Sequence, residues 1–273
     1  MTFKEKLKTI WSKNNSLLCV GLDPDISRVP VHLKNGLDSI FQFNKAVIDA
    51  THDLVCAFKP QIAYFSAEGA EKQLEQTIAY IKSKYPHIPI ILDAKRGDIG
   101  STAQKYAIEV FERYGVDAVT VNPYLGYDSV KPFLSYQEKG SIILCRTSNS
   151  GAGDIQDLVV DGEPLYIRIA RLVSENWNTN NNCLLVVGAT WPSQMHEIRK
   201  IVGDMPFLVP GAGAQGGNVE AMVKAGQTKD GTGMIISSSR GVLYAGSGSD
   251  FADAARAVAL DLRDEINTYR EKA

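Results

Sequence analysis

Three features of the 273-residue chain predict one α/β domain, a (β/α)8 TIM barrel spanning residues 1–273. Eight short apolar runs recur along the sequence, most of them followed by a stretch with helical periodicity. The runs are continuous rather than alternating, as expected of parallel strands buried on both faces. Polar and charged residues gather where the runs end, and in such a barrel those ends form one rim. No linker rich in Pro, Gly or Ser divides the chain, and an open doubly wound sheet would usually have fewer strands.

MTFKEKLKTIWSKNN, at the N-terminus, reads as an amphipathic polar helix and lacks the apolar core of a secretory signal. The first run, LLCVGLD (17–23), ends on Asp23. After the helical stretch LDSIFQFNKAVIDATHDL, LVCAFKPQ (54–61) carries Lys59 behind four apolar residues. The helical AEGAEKQLEQTIAYIKSKY then leads to IPIILDAK (88–95), which ends on Asp93 and Lys95. DAVTVNP (117–123) delivers Asn122, SIILCRTS (141–148) delivers Ser148, and CLLVVGAT (183–190) delivers Thr190. PFLVPGAG (206–213) opens into glycines, and MIISSSR (234–240) ends on Arg240. The longest polar connection, NSGAGDIQDLVVDGEPLY (149–166), is the expected mobile loop.

Bulk properties narrow the function. With 44% apolar and 22% charged residues, the composition is that of an ordinary globular protein. A net charge of −2 and a pI of about 6.1 give no basic bias toward nucleic acid or an anionic membrane. No apolar run approaches the roughly 18 residues that span a bilayer, so a cytoplasmic protein is expected. Cys19, Cys56, Cys145 and Cys183 lie in or beside apolar runs without a C-x-x-C pair, and read as buried free thiols. The four histidines are scattered away from the charged stretch, which leaves no basis for a histidine metal site or a Ser-His triad.

The chemistry centres on IPIILDAKRGDIGSTAQKYA, residues 88–107. Asp93 and Lys95 are two apart, so in a strand they face the same way. Lys59, in its apolar run, needs an anionic partner, and Asp93 on the neighbouring strand is a candidate. A plain structural ion pair, with Asp98 or Ser101 capping the next helix, would also satisfy this pattern. Asp98 and Thr102 share a helix face if that helix begins near Ile99. Asp23 either caps the turn at Pro24 or accepts hydrogen bonds from a sugar hydroxyl. After the last two strands, VPGAGAQGGN (209–218) and Arg240 suit a phosphate, with backbone amides at Gly211, Gly213, Gly216 and Gly217 and a bidentate guanidinium.

Asp93-Ala-Lys95-Arg-Gly-Asp98, with Lys59 one strand earlier, resembles the D-x-K-x-x-D signature of the orotidine 5′-phosphate decarboxylase family. The likeness extends to Gly-Leu-Asp23, Thr-Ser148-Asn, Gly-Ala-Gly-Ala-Gln215-Gly-Gly and Ser-Arg240-Gly, and is strongest to the longer bacterial branch. The resemblance implies decarboxylation of orotidine 5′-phosphate to UMP in pyrimidine biosynthesis, with no cofactor and no metal. It implies that Lys59, Asp93, Lys95 and Asp98 form an alternating charge array, with Asp98 and Thr102 supplied across a homodimer interface. Asp23 would hold the ribose, Ser148 the pyrimidine, and Gly211, Gln215 and Arg240 the phosphate end. Lys95 would stabilise and then protonate the C6 carbanion. Two rivals are a Mg²⁺-dependent sugar-phosphate lyase of similar barrel architecture and a non-catalytic phosphate-ligand binder. The binder must explain two lysines and two acids without catalysis.

Overall fold

The apolar runs become strands because each is short, rich in branched side chains and covered on both sides. In the computed structural model, which describes residues 1–34, 36–212 and 218–271, eight of them form one sheet. They are β1 (Leu18–Leu22), β2 (Ala57–Pro60), β3 (Ile91–Arg96) and β4 (Ala118–Val121). Then come β5 (Gly140–Arg146), β6 (Cys183–Val187), β7 (Phe207–Pro210) and β8 (Met234–Ser238). Every residue of β1, β2, β4, β6 and β8 is buried, the two-sided burial that the continuous runs predict.

All neighbouring strands pair in parallel, in the order β2-β1-β8-β7-β6-β5-β4-β3. Parallel bridges Phe58–Ile90 and Gln61–Asp93 join the two edges, β2 and β3, and nearly close the barrel. Parallel strands need a crossover, and helices supply it. Those of eight residues or more are α1 (Phe3–Lys13), α2 (Ser39–Thr51), α3 (Glu71–Lys84), α4 (Gly100–Ile108) and α5 (Tyr127–Leu134). They continue as α6 (Leu165–Leu172), α7 (Pro192–Val202), α8 (Val219–Gly226) and α9 (Phe251–Thr268). Helices α2 to α9 each follow one strand, whereas α1 precedes the barrel. The expected (β/α)8 architecture is present.

Local signals set several helix starts. Thr2 and Glu5 form a reciprocal capping box at α1, and the amide of Phe3 bonds the Glu138 carbonyl at 2.9 Å just before β5. Helix α1 thereby lies at the N-terminal end of the barrel, opposite the rim. Pro192 opens α7, and the Asn218 side chain accepts from the Ala221 amide at α8.

Two segments take a definite local form. Helix α4 begins at Gly100, whose φ of +53° kinks the chain, so Asp98 stands before the helix and does not share a helical face with Thr102. Neither Asp98 nor Ser101 caps it, because Ile99 occupies the N-cap position without a side-chain bond. The 149–166 connection is folded: helical turns at Ser150–Ala152 and Gly153–Gln156 precede a small antiparallel hairpin, Val159–Val160 with Glu163–Pro164. All four cysteines are buried free thiols, and burial pushes Cys19, Cys145 and Cys183 up to about 12.

Candidate active site

Parallel strands in register bring their ends together. Gly21 of β1 pairs with Lys59 of β2, and Gln61 pairs with Asp93 of β3. Lys59 Nζ donates to Asp93 Oδ2 at 3.0 Å, and Lys95 Nζ donates to Asp93 Oδ1 at 2.7 Å. One carboxylate therefore carries an ammonium group on each oxygen. The two lysines differ in setting: the Lys59 side chain is 6% exposed, whereas that of Lys95 is 48% exposed and open to the rim. Lys59 is thus the buried member of the pair and Lys95 the accessible one.

Simple alternation does not produce this geometry. Between Leu92 and Arg96 the register of β3 against β4 shifts, and Lys95 takes a left-handed φ of +46°. The irregular segment is held by Thr120 of β4, a residue the sequence reading passed over in favour of Asn122. The Thr120 hydroxyl accepts from the amides of Ala94 and Lys95 at 3.0 and 2.9 Å, and donates to Asp93 Oδ1 at 2.9 Å. A threonine in an apolar strand gives no sign of such a role until the neighbouring strand is placed beside it.

The charges reinforce one another. Burial opposes ionisation of Asp93, but the attraction of Lys59 and then Lys95, with their hydrogen bonds, holds its carboxyl well below the usual range. Burial likewise opposes a charged Lys59, yet Asp93 and Asp23 outweigh it and raise its pKa. Both groups are ionised at neutral pH. A carboxylate with an ammonium on each oxygen is a poor seat for a divalent cation, since both oxygens are engaged and both neighbours are positive.

Around this centre stand the other rim residues. Asp23 Oδ1 is buried without a hydrogen-bond partner among the described residues, as is Thr190 Oγ1. A buried carboxylate oxygen in that state is suited to a ligand hydroxyl. Ser148 follows β5 on a tightly held backbone. The Thr147 amide donates to Gln156 Oε1 at 2.9 Å, and Trp191 Nε1 donates to the Thr147 carbonyl at 3.0 Å. Beneath them the fully buried Arg146 stacks on Trp191 at 4.4 Å and reaches Asp157 at 3.2 Å. Gly188 makes this packing possible, because a Cβ there would lie 2.8–2.9 Å from Ser148 atoms. Arg146, Gln156 and Trp191 also escaped the sequence reading, since their partners are set by the fold.

At the phosphate end, Gly211 has a φ of +94°, a conformation that favours glycine. Arg240 is exposed at the end of β8. Gln215, with Gly213, Gly216 and Gly217, lies outside the described residues. Asn122 is exposed and accepts from the Tyr124 amide at 3.0 Å, so it shapes a turn. Asp98 and Thr102 do not join the Lys59–Asp93–Lys95 group: Asp98 Oδ1 accepts from the Ile99 amide at 2.8 Å, and Thr102 is exposed. Ile99, next to Asp98 in the chain, and Tyr124, Leu125 and Tyr127 after β4 are exposed large hydrophobic residues. A cavity of about 800 Å³ lies elsewhere, beside α1, lined by residues including Lys8, Trp11 and Asp230, and includes none of the eight rim residues.

Residues 16–257 match the model of the orotidine 5′-phosphate decarboxylase / HUMPS family. The chain is 70% identical over 272 residues to the orotidine 5′-phosphate decarboxylase of Cellvibrio japonicus, covering 99% of this chain and 100% of that one. It is 59% identical over 269 residues to that of a Janthinobacterium species, covering 98% and 99%. Among solved structures, the Leishmania donovani OMP decarboxylase superposes with a TM-score of 0.86 at 37% identity, covering 100% of both chains.

Proposed function

The chain belongs to the orotidine 5′-phosphate decarboxylase / HUMPS family, and on that premise we propose that it converts orotidine 5′-phosphate to UMP and CO₂. It is a carboxy-lyase of pyrimidine biosynthesis. The observation that carries the mechanism is the Lys59–Asp93–Lys95 array at the C-terminal rim of the barrel.

The bond that breaks joins C6 of the pyrimidine to its carboxyl carbon. Its electron pair stays on C6, CO₂ leaves, and Lys95 Nζ supplies the proton that completes UMP. Before that transfer, the Lys95 ammonium stabilises the developing negative charge on C6. The neutral amine left behind recovers a proton from water through its exposed position. Lys59 neutralises Asp93 and holds it in place; Asp93 holds Lys95 and faces the departing carboxylate. No cofactor is needed for these steps.

Binding is divided among the remaining residues. The unpartnered oxygen of Asp23 takes a ribose hydroxyl, Ser148 the pyrimidine, and Gly211, Gln215 and Arg240 the phosphate. Phosphate contacts far from C6 supply binding energy for excluding water. Asp98 and Thr102 serve the site of a second copy in a homodimer, a reading supported by the exposed apolar side chains of Ile99, Tyr124, Leu125 and Tyr127 on the segments after β3 and β4. A cytoplasmic setting suits four unpaired thiols, and no described helix is long and apolar enough to cross a membrane.

The test is the change in absorbance as orotidine 5′-phosphate becomes UMP, followed with EDTA and with Mg²⁺. Turnover unaffected by EDTA supports the proposal. Turnover only with Mg²⁺ would overturn the metal-free mechanism; no turnover overturns the proposal, and sugar phosphates with Mg²⁺ would then test the lyase.

A further inference from the structure

The ladder between β3 and β4 pairs Leu92 with Val119 and next pairs Arg96 with Val121. Asp93, Ala94 and Lys95 are therefore spread opposite one β4 residue, Thr120. Spreading them takes the Ala94 and Lys95 amides away from regular ladder partners in a partly buried setting, where unpaired amides are costly. A hydroxyl has one proton to give and two lone pairs to fill. Thr120 uses all three: it accepts from both amides and donates to Asp93 Oδ1. Asp93 Oδ1 is the same oxygen that Lys95 Nζ reaches at 2.7 Å. One side chain, 1% exposed, thus ties the left-handed backbone of Lys95 to that lysine's own counter-ion.

We propose that Thr120 is a positioning residue for decarboxylation, its hydroxyl holding the irregular segment that aims Lys95 at the substrate. Valine keeps the shape of threonine but has no hydroxyl; serine keeps the hydroxyl and loses a methyl. Thr120→Val leaves two partly buried amides without this partner and Lys95 free to relax out of its left-handed conformation. The substrate's ribose and phosphate contacts lie on other strands and remain.

The kinetic arm rests on the proposed function. In it, kcat for orotidine 5′-phosphate falls about 10- to 100-fold in Thr120→Val while KM stays within about threefold, the size of effect a misplaced catalytic group produces. Thr120→Ser recovers kcat to within about threefold of wild type, which a merely space-filling role would not require. A Thr120→Val enzyme with wild-type kcat, or a Thr120→Ser enzyme as slow as Thr120→Val, overturns the proposal. If Thr120→Val fails to fold, Thr120→Ala carries the same comparison. A crystal structure of the variant is the second arm: loss of the positive φ at Lys95 supports the proposal, and an unchanged segment contradicts it. Absence of turnover by the wild type would sink the decarboxylase reading, and the crystallographic arm would still decide what Thr120 holds.

Discussion

Replacing Lys59 by methionine tests the buried half of the charge array. Methionine fills much the same volume but leaves Asp93 Oδ2 without the ammonium that stands 3.0 Å away. Both side chains are at most 10% exposed, so water does not take over the lost interaction. Breaking a buried pair by removing one partner costs about 3–5 kcal/mol. Lys95 still holds Oδ1, which puts the expected loss near the lower end, about 3 kcal/mol. At about 2–4 °C per kcal/mol, the melting temperature should fall by roughly 6–12 °C.

Chemical and thermal unfolding at one fixed protein concentration measure this loss. Its pH dependence follows from the direction of the shifts. The folded carboxyl of Asp93 is held below its unfolded value of about 3.9, so its contribution is complete above that pH and is lost as pH falls through the folded value. The folded Lys59 is raised above its unfolded value of about 10.4, so its contribution is complete below that pH and lost as pH rises through the folded value. The gap between wild type and Lys59→Met should therefore be level from about pH 4 to 10 and narrow on acidification. A loss under about 1 kcal/mol, or a gap that widens toward acid, would refute the reasoning.

Three further outcomes are expected. Gly188→Ala forces a methyl against Ser148 and should cost about 1–3 kcal/mol in stability while raising KM for orotidine 5′-phosphate; an unchanged KM in kinetic assays would show that Ser148 does not contact substrate. Arg240→Ala should raise KM at least about tenfold with a smaller change in kcat, measured by initial rates. Mixing inactive Lys95→Ala with Asp98→Ala under conditions of subunit exchange should restore about a quarter of wild-type activity, since half the dimers are then mixed and each holds one intact site. No recovery would mean that Asp98 does not serve a second copy.

The barrel was legible because its strands are buried on both faces and so read as uninterrupted apolar runs, each closed by a polar residue. Lys59, Asp93 and Lys95 were legible because charges in apolar strands require partners. What stayed hidden depends on how strands sit beside one another. Thr120 looks like any β-branched strand residue until β3 spreads against it. Arg146, Gln156 and Trp191 secure the Ser148 backbone through contacts that span up to 44 residues, and no local pattern marks them. The start of α4 near Ile99 was legible, but whether Asp98 would fall on the helix was not, and Gly100, with its positive φ, leaves Asp98 before it. The elements within the 149–166 connection were not legible because they are two to four residues long, shorter than any period can reveal.

The central claim is that Lys95 carries the proton to C6. The direct test is Lys95→Ala, with kcat for orotidine 5′-phosphate measured in EDTA and UMP affinity measured on the same preparation. The account expects kcat to fall by about 10³-fold or more, with UMP still bound. A variant that binds UMP and turns over within about tenfold of wild type would contradict it.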